Sequence, residues 1–333
     1  MISERYTDFL KQHGWAGKPC VFLAGDCSDR KYYRLGSEAT GFVLLMDAPP
    51  PGEKLEDFIR IGSILSGLGL SVPEVIAYDS EKGLALIEDL GDTTYSNCLL
   101  TKSVPLEDLY ELATRVLIHL HTKFDIRREE ITLPLYSLDL YMKELNLCLE
   151  WYYPSVYSKP LSLEAVKEWE TIWALLLQSQ VKSETLVLKD FMVDNLVYLR
   201  KRQGVQRCGL LDFQDAVYGS RAYDLVSLLE DARYDVPQEI QSKMIDRYLE
   251  AFPYVDRALF LESYHILGVQ RSAKILGVFT RMYKRYNKSK YLAHLPRVLK
   301  WIEQDLNHPS LKRLKEWFDL YMPSTERKVL NAD

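Results

Sequence analysis

Two short polar clusters in the second half of the chain carry the residue types that phosphoryl transfer needs. The first, at residues 188–195, places Asp190 and Asn195 five positions apart behind an apolar run. A second apolar run ends at Asp212. In one common arrangement, an Asp positions the attacking hydroxyl, while an Asn and a later Asp hold the Mg²⁺ ions that neutralise the phosphates of ATP. The spacing is typical of that chemistry.

The surrounding pattern predicts the elements that must position these residues. Residues 185–188 are short and apolar, which predicts a buried strand edge with a loop leaving it. Two more apolar runs, 196–200 and 208–211, flank a charged segment that contains one Gly, which is typical of a hairpin turn.

A hairpin of this kind returns the chain to its starting point. We therefore expect Asp212 to lie beside Asp190 and Asn195, where three oxygen-bearing side chains would make a hard-cation site. The alternative is that Asp190 and Asn195 stabilise turns and that Asp212 caps a helix.

The chain resembles the aminoglycoside phosphotransferase-like and choline kinase-like families of the protein-kinase-like superfamily. Those families write their catalytic loop as His-x-Asp-x-x-x-x-Asn, and an apolar-apolar-Asp-aromatic segment follows the hairpin. Within them, the chain is most similar to bacterial anomeric kinases of N-acetylmuramate and N-acetylglucosamine, which serve peptidoglycan recycling. The segments that carry the resemblance are residues 24–35, 45–50, 72–75, 87–92 and 211–225.

The resemblance implies an α+β, two-lobed, protein-kinase-like fold. Residues 1–90 would form a small β-rich lobe that binds the nucleotide, and residues 91–333 a large helical lobe with the catalytic loop and the acceptor site. The residue pattern agrees. A leading helix, short β-type runs at 20–24, 32–35, 42–46 and 85–87 and a helical stretch at 55–68 come first, and long helical patterns follow residue 94, at 106–121, 163–178, 224–232, 238–252 and 259–285.

The resemblance also assigns roles to residues. Asp190 would orient the acceptor hydroxyl, and Asn195 and Asp212 would hold Mg²⁺. The loop at residues 25–33 takes the place of the Gly-rich loop over the phosphates, and the segment at 88–91 that of the adenine-binding connector. The expected nucleotide contacts are Gly25, Ser28, Arg30, Lys31, Glu88 and Leu90.

Three residues after the hairpin are further candidates. Asp224 matches the family's structural Asp, which braces the backbone of the catalytic loop from a following helix. Asp215 would face substrate hydroxyls or cap the next helix. Arg233 would bind a substrate carboxylate or acetamido group, or make an ion pair at the surface.

The sequence departs from the family pattern at four positions. Leu188 and Met192 stand where the family's loop has His. The Lys that most kinases carry on the third strand falls near Met46, and its helix-borne Glu partner near Phe58. Packing can replace a bracing His, but Met46 has no charge to offer a phosphate.

Without that Lys, contact to the phosphates must come from Arg30, Lys31 or the loop backbone. The departures motivate one alternative, a nucleotide-binding pseudokinase. A second alternative is a kinase for an aminoglycoside, a choline-like alcohol or another sugar.

Composition is that of an ordinary folded enzyme. The chain has 333 residues, of which 47% are hydrophobic and 27% charged, and its net charge of −5 argues against general nucleic-acid binding. Five scattered Cys residues without metal spacing indicate reduced thiols in a cytoplasm. No secretory leader or membrane-spanning run is evident, so we expect a cytoplasmic enzyme whose partner is a small hydroxylated molecule.

Two histidines, His119 and His121, lie close together in the sequence. Their i, i+2 spacing places them on different sides of a helix, so they do not suit one metal ion. We expect His121 to be packed or hydrogen-bonded instead.

Overall fold

The computed structural model describes residues 4–25, 29–52, 55–127, 132–157 and 159–327. The chain forms two compact units. Unit 1 comprises residues 1–116 and 194–215, and unit 2 comprises residues 117–193 and 216–333. The division of roles between residues 1–90 and 91–333 stays a prediction.

Unit 1 is built on a five-stranded antiparallel sheet of strand order β1-β2-β3-β5-β4. The predicted strands at 20–24, 32–35, 42–46 and 85–87 and the helix at 55–68 are confirmed, whereas β4 was missed. The elements are α1 (Glu4–Gln12), β1 (Cys20–Ala24), β2 (Lys31–Ser37), β3 (Gly41–Asp47), α2 (Leu55–Gly67), β4 (Val75–Asp79), β5 (Leu84–Glu88) and α3 (Tyr95–Thr101).

The core of unit 1 follows from the two-residue period of its strands. Val43 and Leu45 of β3 lie in one cluster with Leu84 and Leu86 of β5 and with Phe9 of α1. The intervening residues of both strands are buried as well, so both faces of the sheet are covered. This explains why β3 and β5 are continuous apolar runs.

The predicted hairpin is confirmed in unit 1. It consists of β7 (Leu196–Tyr198) and β8 (Cys208–Leu210), which pair in antiparallel register from Leu196 opposite Leu210. A short 3₁₀ helix, Gly204–Arg207, forms part of the connection. A bridge between Ser71 and Gly209 joins the hairpin to the rest of the unit.

Unit 2 is mostly helical, and α4 (Leu106–Lys123) runs into it from unit 1. Its two short strands, β6 (Thr185–Val187) and β9 (Val217–Gly219), pair antiparallel. The helices are α5 (Leu138–Leu147), α6 (Tyr153–Val156), α7 (Leu163–Gln180), α8 (Tyr223–Leu229), α9 (Gln238–Ala251), α10 (Arg257–Tyr286), α11 (Leu295–Asp305) and α12 (Lys312–Tyr321), with a π-helical turn at Cys148–Tyr152.

The longest helix, α10, has clear sequence signals at both ends. The Asp256 carboxylate caps it by accepting the backbone N–H groups of Ala258 and Leu259. Asn287 ends it in the left-handed conformation. Helices α5, α8 and α11 pack against its length, and this packing positions several side chains near the catalytic loop.

The helices predicted by periodicity are confirmed within a few residues of their bounds. The helix expected at 224–232 is shorter, because it ends at Leu229. The π-helical turn and helices α3, α5, α6, α11 and α12 were not predicted. Within the described ranges, no helix is both long and apolar enough to cross a bilayer.

His121 is buried and hydrogen-bonded, as expected. Its Nδ1 lies 2.6 Å from the hydroxyl oxygen of Tyr248 in unit 2. Burial, together with the nearby charge of Arg221, lowers the pKa of His121 to about 3. The side chain is therefore neutral in the folded protein and charged only in the unfolded chain at mildly acidic pH.

This difference predicts acid sensitivity. In the unfolded chain His121 is protonated near pH 6.5, whereas in the folded chain it is protonated only near pH 3. The free energy of unfolding therefore falls as pH drops through that window. Between pH 7 and pH 5 this single group costs about 2 kcal/mol. We expect His121→Gln to lose less stability than wild type over that range in denaturant titrations, and His13→Gln, at an exposed histidine, to behave like wild type.

Candidate active site

The catalytic loop follows β6 in unit 2 and turns sharply. Lys189 adopts a left-handed conformation with φ of 70°. Two close backbone hydrogen bonds then shape the turn, from Asp190 N–H to the Leu188 carbonyl at 2.9 Å and from Met192 N–H to the Asp190 carbonyl at 3.1 Å. Asp190 itself is half-buried. The loop therefore presents this carboxylate from a constrained backbone.

Asp224 braces the start of the loop, as the resemblance implied. Its two carboxylate oxygens accept the backbone N–H groups of Leu188 at 2.7 Å and Lys189 at 2.9 Å. Burial raises the pKa of Asp224 to about 7, even though these hydrogen bonds and the charge of Arg271 favour the ionised form. The brace thus rests on a carboxylate that is held almost out of contact with solvent.

A second buried carboxylate, Asp231, braces the end of the loop. Its Oδ2 accepts the N–H of Val193 at 3.1 Å, and its Oδ1 accepts the N–H of Arg233 at 2.8 Å. The indole N–H of Trp301 donates to its carbonyl oxygen. Sequence reasoning missed this residue, and its only local signal is a pair of acidic residues following an apolar helix.

Packing takes the place of the family's loop histidines. Leu188 and Met192 are both buried; the Leu188 side chain has no polar atom, and Met192 offers only its sulfur, which accepts a hydrogen bond from Arg233. The loop is held by backbone hydrogen bonds to Asp224 and Asp231 instead.

A charged network in unit 2 surrounds the residue before Asp190. The ammonium groups of Lys189 and Lys274 lie 2.9 and 3.1 Å from one oxygen of Glu144. Sequence reasoning missed Glu144 and Lys274. The available signal was Glu144, which α5 carries on its buried face. A buried charged residue is almost always paired with a group of opposite charge.

In unit 1, the hairpin brings the two candidate metal ligands to its open end. Leu196 pairs with Leu210, and the N–H of Leu211 donates to the carbonyl of Asn195 at 2.9 Å, so Asp212 follows directly. Asp212 is left-handed, with φ of 55°, and its carboxylate is half-exposed. The next element after Asp212 is strand β9 and not a helix, so the alternative that Asp212 caps a helix does not apply.

Two neighbours hold the Asp212 carboxylate. The side-chain amide of Gln214 donates to its Oδ1 at 2.9 Å, and a guanidinium nitrogen of Arg30 lies 3.3 Å from the same oxygen. Arg30 is itself buried. The candidate phosphate contact and the candidate metal ligand therefore lie side by side.

Aromatic packing replaces the usual Lys–Glu ion pair. Met46 is fully buried in β3. Phe58, at the position of the helix-borne Glu, stacks on Phe213 with ring centroids 4.9 Å apart. Gly62 lies against the Phe213 ring, where a Cβ would make ordinary van der Waals contact at 3.4 Å. Helix α2 is thus tied to the residue that follows Asp212.

The residues expected to contact the nucleotide differ in their exposure and in their neighbours. Gly25 is closely approached, since a Cβ there would lie 3.1 Å from Lys31 Cγ. Lys31 is exposed, and Ser28 falls outside the described residues.

In the connector segment, the Glu88 carboxylate contacts Arg202 at 2.5 Å and lines a cavity of about 590 Å³ in unit 1. Leu90 packs against Gly209. Side-chain contact of Glu88 with a nucleotide would compete with its ion pair, whereas backbone contact would not.

The two residues expected to bind the acceptor differ in their contacts with the rest of the protein. Asp215 is exposed and accepts a hydrogen bond from Gln214 at 3.2 Å. It does not cap a helix, because β9 follows it. Arg233 in unit 2 lies 3.0 Å from the Met192 sulfur and over the ring of Phe279. It therefore contacts the catalytic loop through Met192.

Comparison with known proteins identifies the class to which this fold and site belong. Residues 19–261 match the phosphotransferase enzyme family. The chain belongs to this family, and it is an ATP-dependent phosphotransferase with a hydroxyl acceptor. As a kinase it works with ATP and a divalent metal ion, because the charge of the phosphates must be neutralised.

Individual relatives narrow the comparison. The chain is 33% identical to an N-acetylmuramate/N-acetylglucosamine kinase of Caulobacter vibrioides, over 96% of each chain. It is 32% identical to a kinase of the same name from Pseudomonas aeruginosa, covering 91% of this chain and 89% of that one. The amicoumacin kinase hAmiN in complex with AMP-PNP, Ca²⁺ and Ami shares the fold, with a TM-score of 0.61, 18% identity and coverage of 90% and 94%.

The donor set fits a metal ion that is shared with ATP. Among the described residues, no group of three or more His, Cys, Asp or Glu side chains could hold a metal ion alone. Asn195 and Asp212 offer oxygen ligands only. Mg²⁺ is usually bound by one or two carboxylates together with substrate phosphates and water, so this sparse oxygen set is suitable.

The packing around Met46 and Arg30 generates a prediction about nucleotide binding. Arg30→Ala removes the buried cation beside Asp212, so we expect the KM for ATP to rise about 10–100-fold, the worth of one charge-assisted contact. Met46→Ala is the control, since it removes buried volume without charge and should lower stability more than ATP affinity. An unaltered KM for ATP in Arg30→Ala would show that the phosphates are bound by other groups.

Proposed function

We propose that this enzyme transfers the γ-phosphoryl group of ATP to the anomeric hydroxyl of an amino sugar, N-acetylmuramate or N-acetylglucosamine. The observation that carries the proposal is the 33% identity over 96% of both chains to a kinase of that name. The setting would be peptidoglycan recycling in the cytoplasm. The four described cysteines are free thiols, which suits a reducing compartment.

Asp190 orients the acceptor hydroxyl and takes its proton as the reaction proceeds. The anomeric oxygen forms a bond to the γ-phosphorus while the bond from that phosphorus to the bridging oxygen breaks, and ADP leaves. The loop that carries Asp190 is held by Asp224 and Asp231, so the carboxylate needs little reorganisation. Most of the rate enhancement then comes from positioning and charge neutralisation.

Asn195 and Asp212 would hold Mg²⁺, which would neutralise the charge of the phosphates. Arg30, Lys31 and the backbone at Gly25 would contact the phosphates, while Glu88 and Leu90 would contact adenine through their backbone. Gln214 and Arg30 orient the Asp212 carboxylate before the nucleotide arrives.

Asp215 and Arg233 contact the acceptor. Asp215 would accept hydrogen bonds from sugar hydroxyls, and its exposed carboxylate is free to do so on one side. Arg233 would donate to the acetamido carbonyl, a group that both sugars carry. Its contact with Met192 fixes the guanidinium relative to the catalytic loop.

An acceptor panel tests the proposal. We expect ADP release with N-acetylmuramate and N-acetylglucosamine, and little with an aminoglycoside, choline or ethanolamine. The 1-deoxy analogue of N-acetylglucosamine is the matched control, because it lacks only the anomeric hydroxyl and should not be phosphorylated. Turnover of another acceptor class alone would replace the amino sugar, and MgATP binding without any turnover would favour the pseudokinase.

The role of Asp190 generates a second test. Asp190→Asn keeps the size of the side chain but removes its negative charge and its basicity, so we expect kcat to fall by about 10²–10⁴. The affinity for MgATP and the thermal stability should stay close to wild type. Near-normal turnover would refute the assignment of Asp190.

The proposed metal site is tested at Asp212. Asp212→Ala should weaken MgATP binding in calorimetric titrations and raise the Mg²⁺ concentration needed for half-maximal rate, since a hard cation loses an anionic ligand. Asp215→Ala, three positions along, separates metal from acceptor, because it should change the KM for sugar without changing the Mg²⁺ dependence. Identical Mg²⁺ dependence in Asp212→Ala and wild type would place the metal elsewhere.

A further inference from the structure

Glu144 holds two lysine ammonium groups on a single oxygen. Lys189 Nζ lies 2.9 Å and Lys274 Nζ 3.1 Å from Glu144 Oε1. Glu144 lies on α5, Lys189 in the catalytic loop and Lys274 on α10, and all three belong to unit 2. Tertiary packing, not local sequence, therefore brings the two cations together.

The other oxygen of Glu144 is already engaged. The Tyr136 hydroxyl donates to Oε2 at 2.5 Å and the Gln270 amide at 3.2 Å. Burial by itself would raise the pKa of Glu144, but the charges of Lys274 and Lys189 and the hydrogen bond from Tyr136 lower it to about 2. Glu144 is thus fully ionised, and both lysines are confined to one oxygen.

One carboxylate cannot neutralise two ammonium groups. The side chains of Lys189 and Lys274 are only 12% and 19% exposed, so water compensates their charge incompletely. Each ammonium carries three donors, and only one is used on Glu144. The pair therefore retains one positive charge that Glu144 does not compensate, and donors that Glu144 does not use; Lys189 Nζ also lies 5.3 Å from the centroid of the Tyr136 ring.

The nearby carboxylates on α8 and beyond it do not supply the missing charge to this pair. Asp224 accepts two backbone N–H groups of the loop, and Asp231 accepts one from the loop and one from Arg233. The charge of Arg271, one turn before Lys274 on α10, favours the ionised forms of both carboxylates.

The position of the pair relates it to the acceptor. Lys189 directly precedes Asp190, the residue proposed to orient the anomeric hydroxyl. N-Acetylmuramate differs from N-acetylglucosamine by a lactyl ether on O3, which ends in a carboxylate. The anomeric hydroxyl and that carboxylate lie several ångströms apart across the pyranose ring, a distance comparable to the length of a lysine side chain.

We propose that Lys189 and Lys274 form the subsite that binds the lactyl carboxylate of N-acetylmuramate, with Glu144 as the fixed counter-ion that positions both ammonium groups. This inference rests on the proposed function. It makes the lysine pair the element that distinguishes the acidic sugar from the neutral one, while Arg233 contacts a group common to both.

The test compares two sugars on one variant. Lys274→Met removes one ammonium from α10 and leaves the catalytic loop sequence intact. We expect kcat/KM for N-acetylmuramate to fall about 10–100-fold, the worth of a charge-assisted contact, and kcat/KM for N-acetylglucosamine to fall much less. The effect should lie mainly in KM, and Lys274→Arg should restore part of the preference. Lys143→Met, at an exposed lysine on α5, is the matched control.

A second measurement uses the ligand, so it does not depend on the folding of a variant. The methyl ester of N-acetylmuramate keeps the lactyl ether and loses the charge. For wild type, kcat/KM should be lower with the ester than with the free acid. The factor should be similar to the loss of kcat/KM that Lys274→Met shows with the free acid. For Lys274→Met, kcat/KM should be nearly equal with the ester and with the acid.

Each outcome bears on the inference. Equal losses for both sugars in Lys274→Met would mean that the lysine is structural, and would overturn it. Wild type that phosphorylates N-acetylglucosamine and accepts the ester as well as the acid would overturn it too, while the proposed function survives. Wild type that phosphorylates neither sugar would overturn the proposed function, and this inference with it.

Discussion

The catalytic loop depends on two buried carboxylates for its shape. Residues 188–193 make no strand pairing of their own, and their backbone N–H groups need partners once they are removed from water. Asp224 accepts two of these groups and Asp231 a third. Because both Asp residues are buried, their hydrogen bonds are strong and leave the loop few alternative conformations. A loop held in this way can present Asp190 without the histidines that the family pattern supplies.

In unit 1, packing occupies the positions where most kinases carry a Lys–Glu ion pair. The stacked rings of Phe58 and Phe213 link α2 to the segment of Asp212, and Met46 fills the position of the usual Lys without charge. Arg30 is a cation buried beside the carboxylate of Asp212, the proposed metal ligand. Under the proposed function, Arg30 supplies to the phosphates the positive charge that Met46 lacks, so the departure at Met46 is compatible with activity.

In unit 2, a network of charged side chains surrounds the residue that precedes Asp190. Glu144 draws Lys189 and Lys274 to one oxygen and so sets the side chain that precedes Asp190. The network also joins α5, α10 and the catalytic loop through Tyr136 and Gln270. A substitution at Glu144 would thus disturb both the position of the loop and the charge that an acidic sugar would meet.

The sequence alone was enough for features whose determinants lie close together along the chain. The hairpin at 196–210, most strands of the small sheet and the long helices follow from local periodicity. Motif spacing proposed Asp190, Asn195 and Asp212 as site residues, and the family resemblance proposed Asp224 as the brace of the loop. Strand β4 was missed because its exposed positions, Ile76 and Tyr78, carry large hydrophobic side chains, so the sequence shows no alternation of polar and apolar residues. Tertiary structure alone decided the partners of Asp231 and Glu144. Val193 lies 38 positions from Asp231, and Lys274 lies 130 positions from Glu144, so only the packing of α5, α8 and α10 determines which charges meet, and how far water is excluded from them.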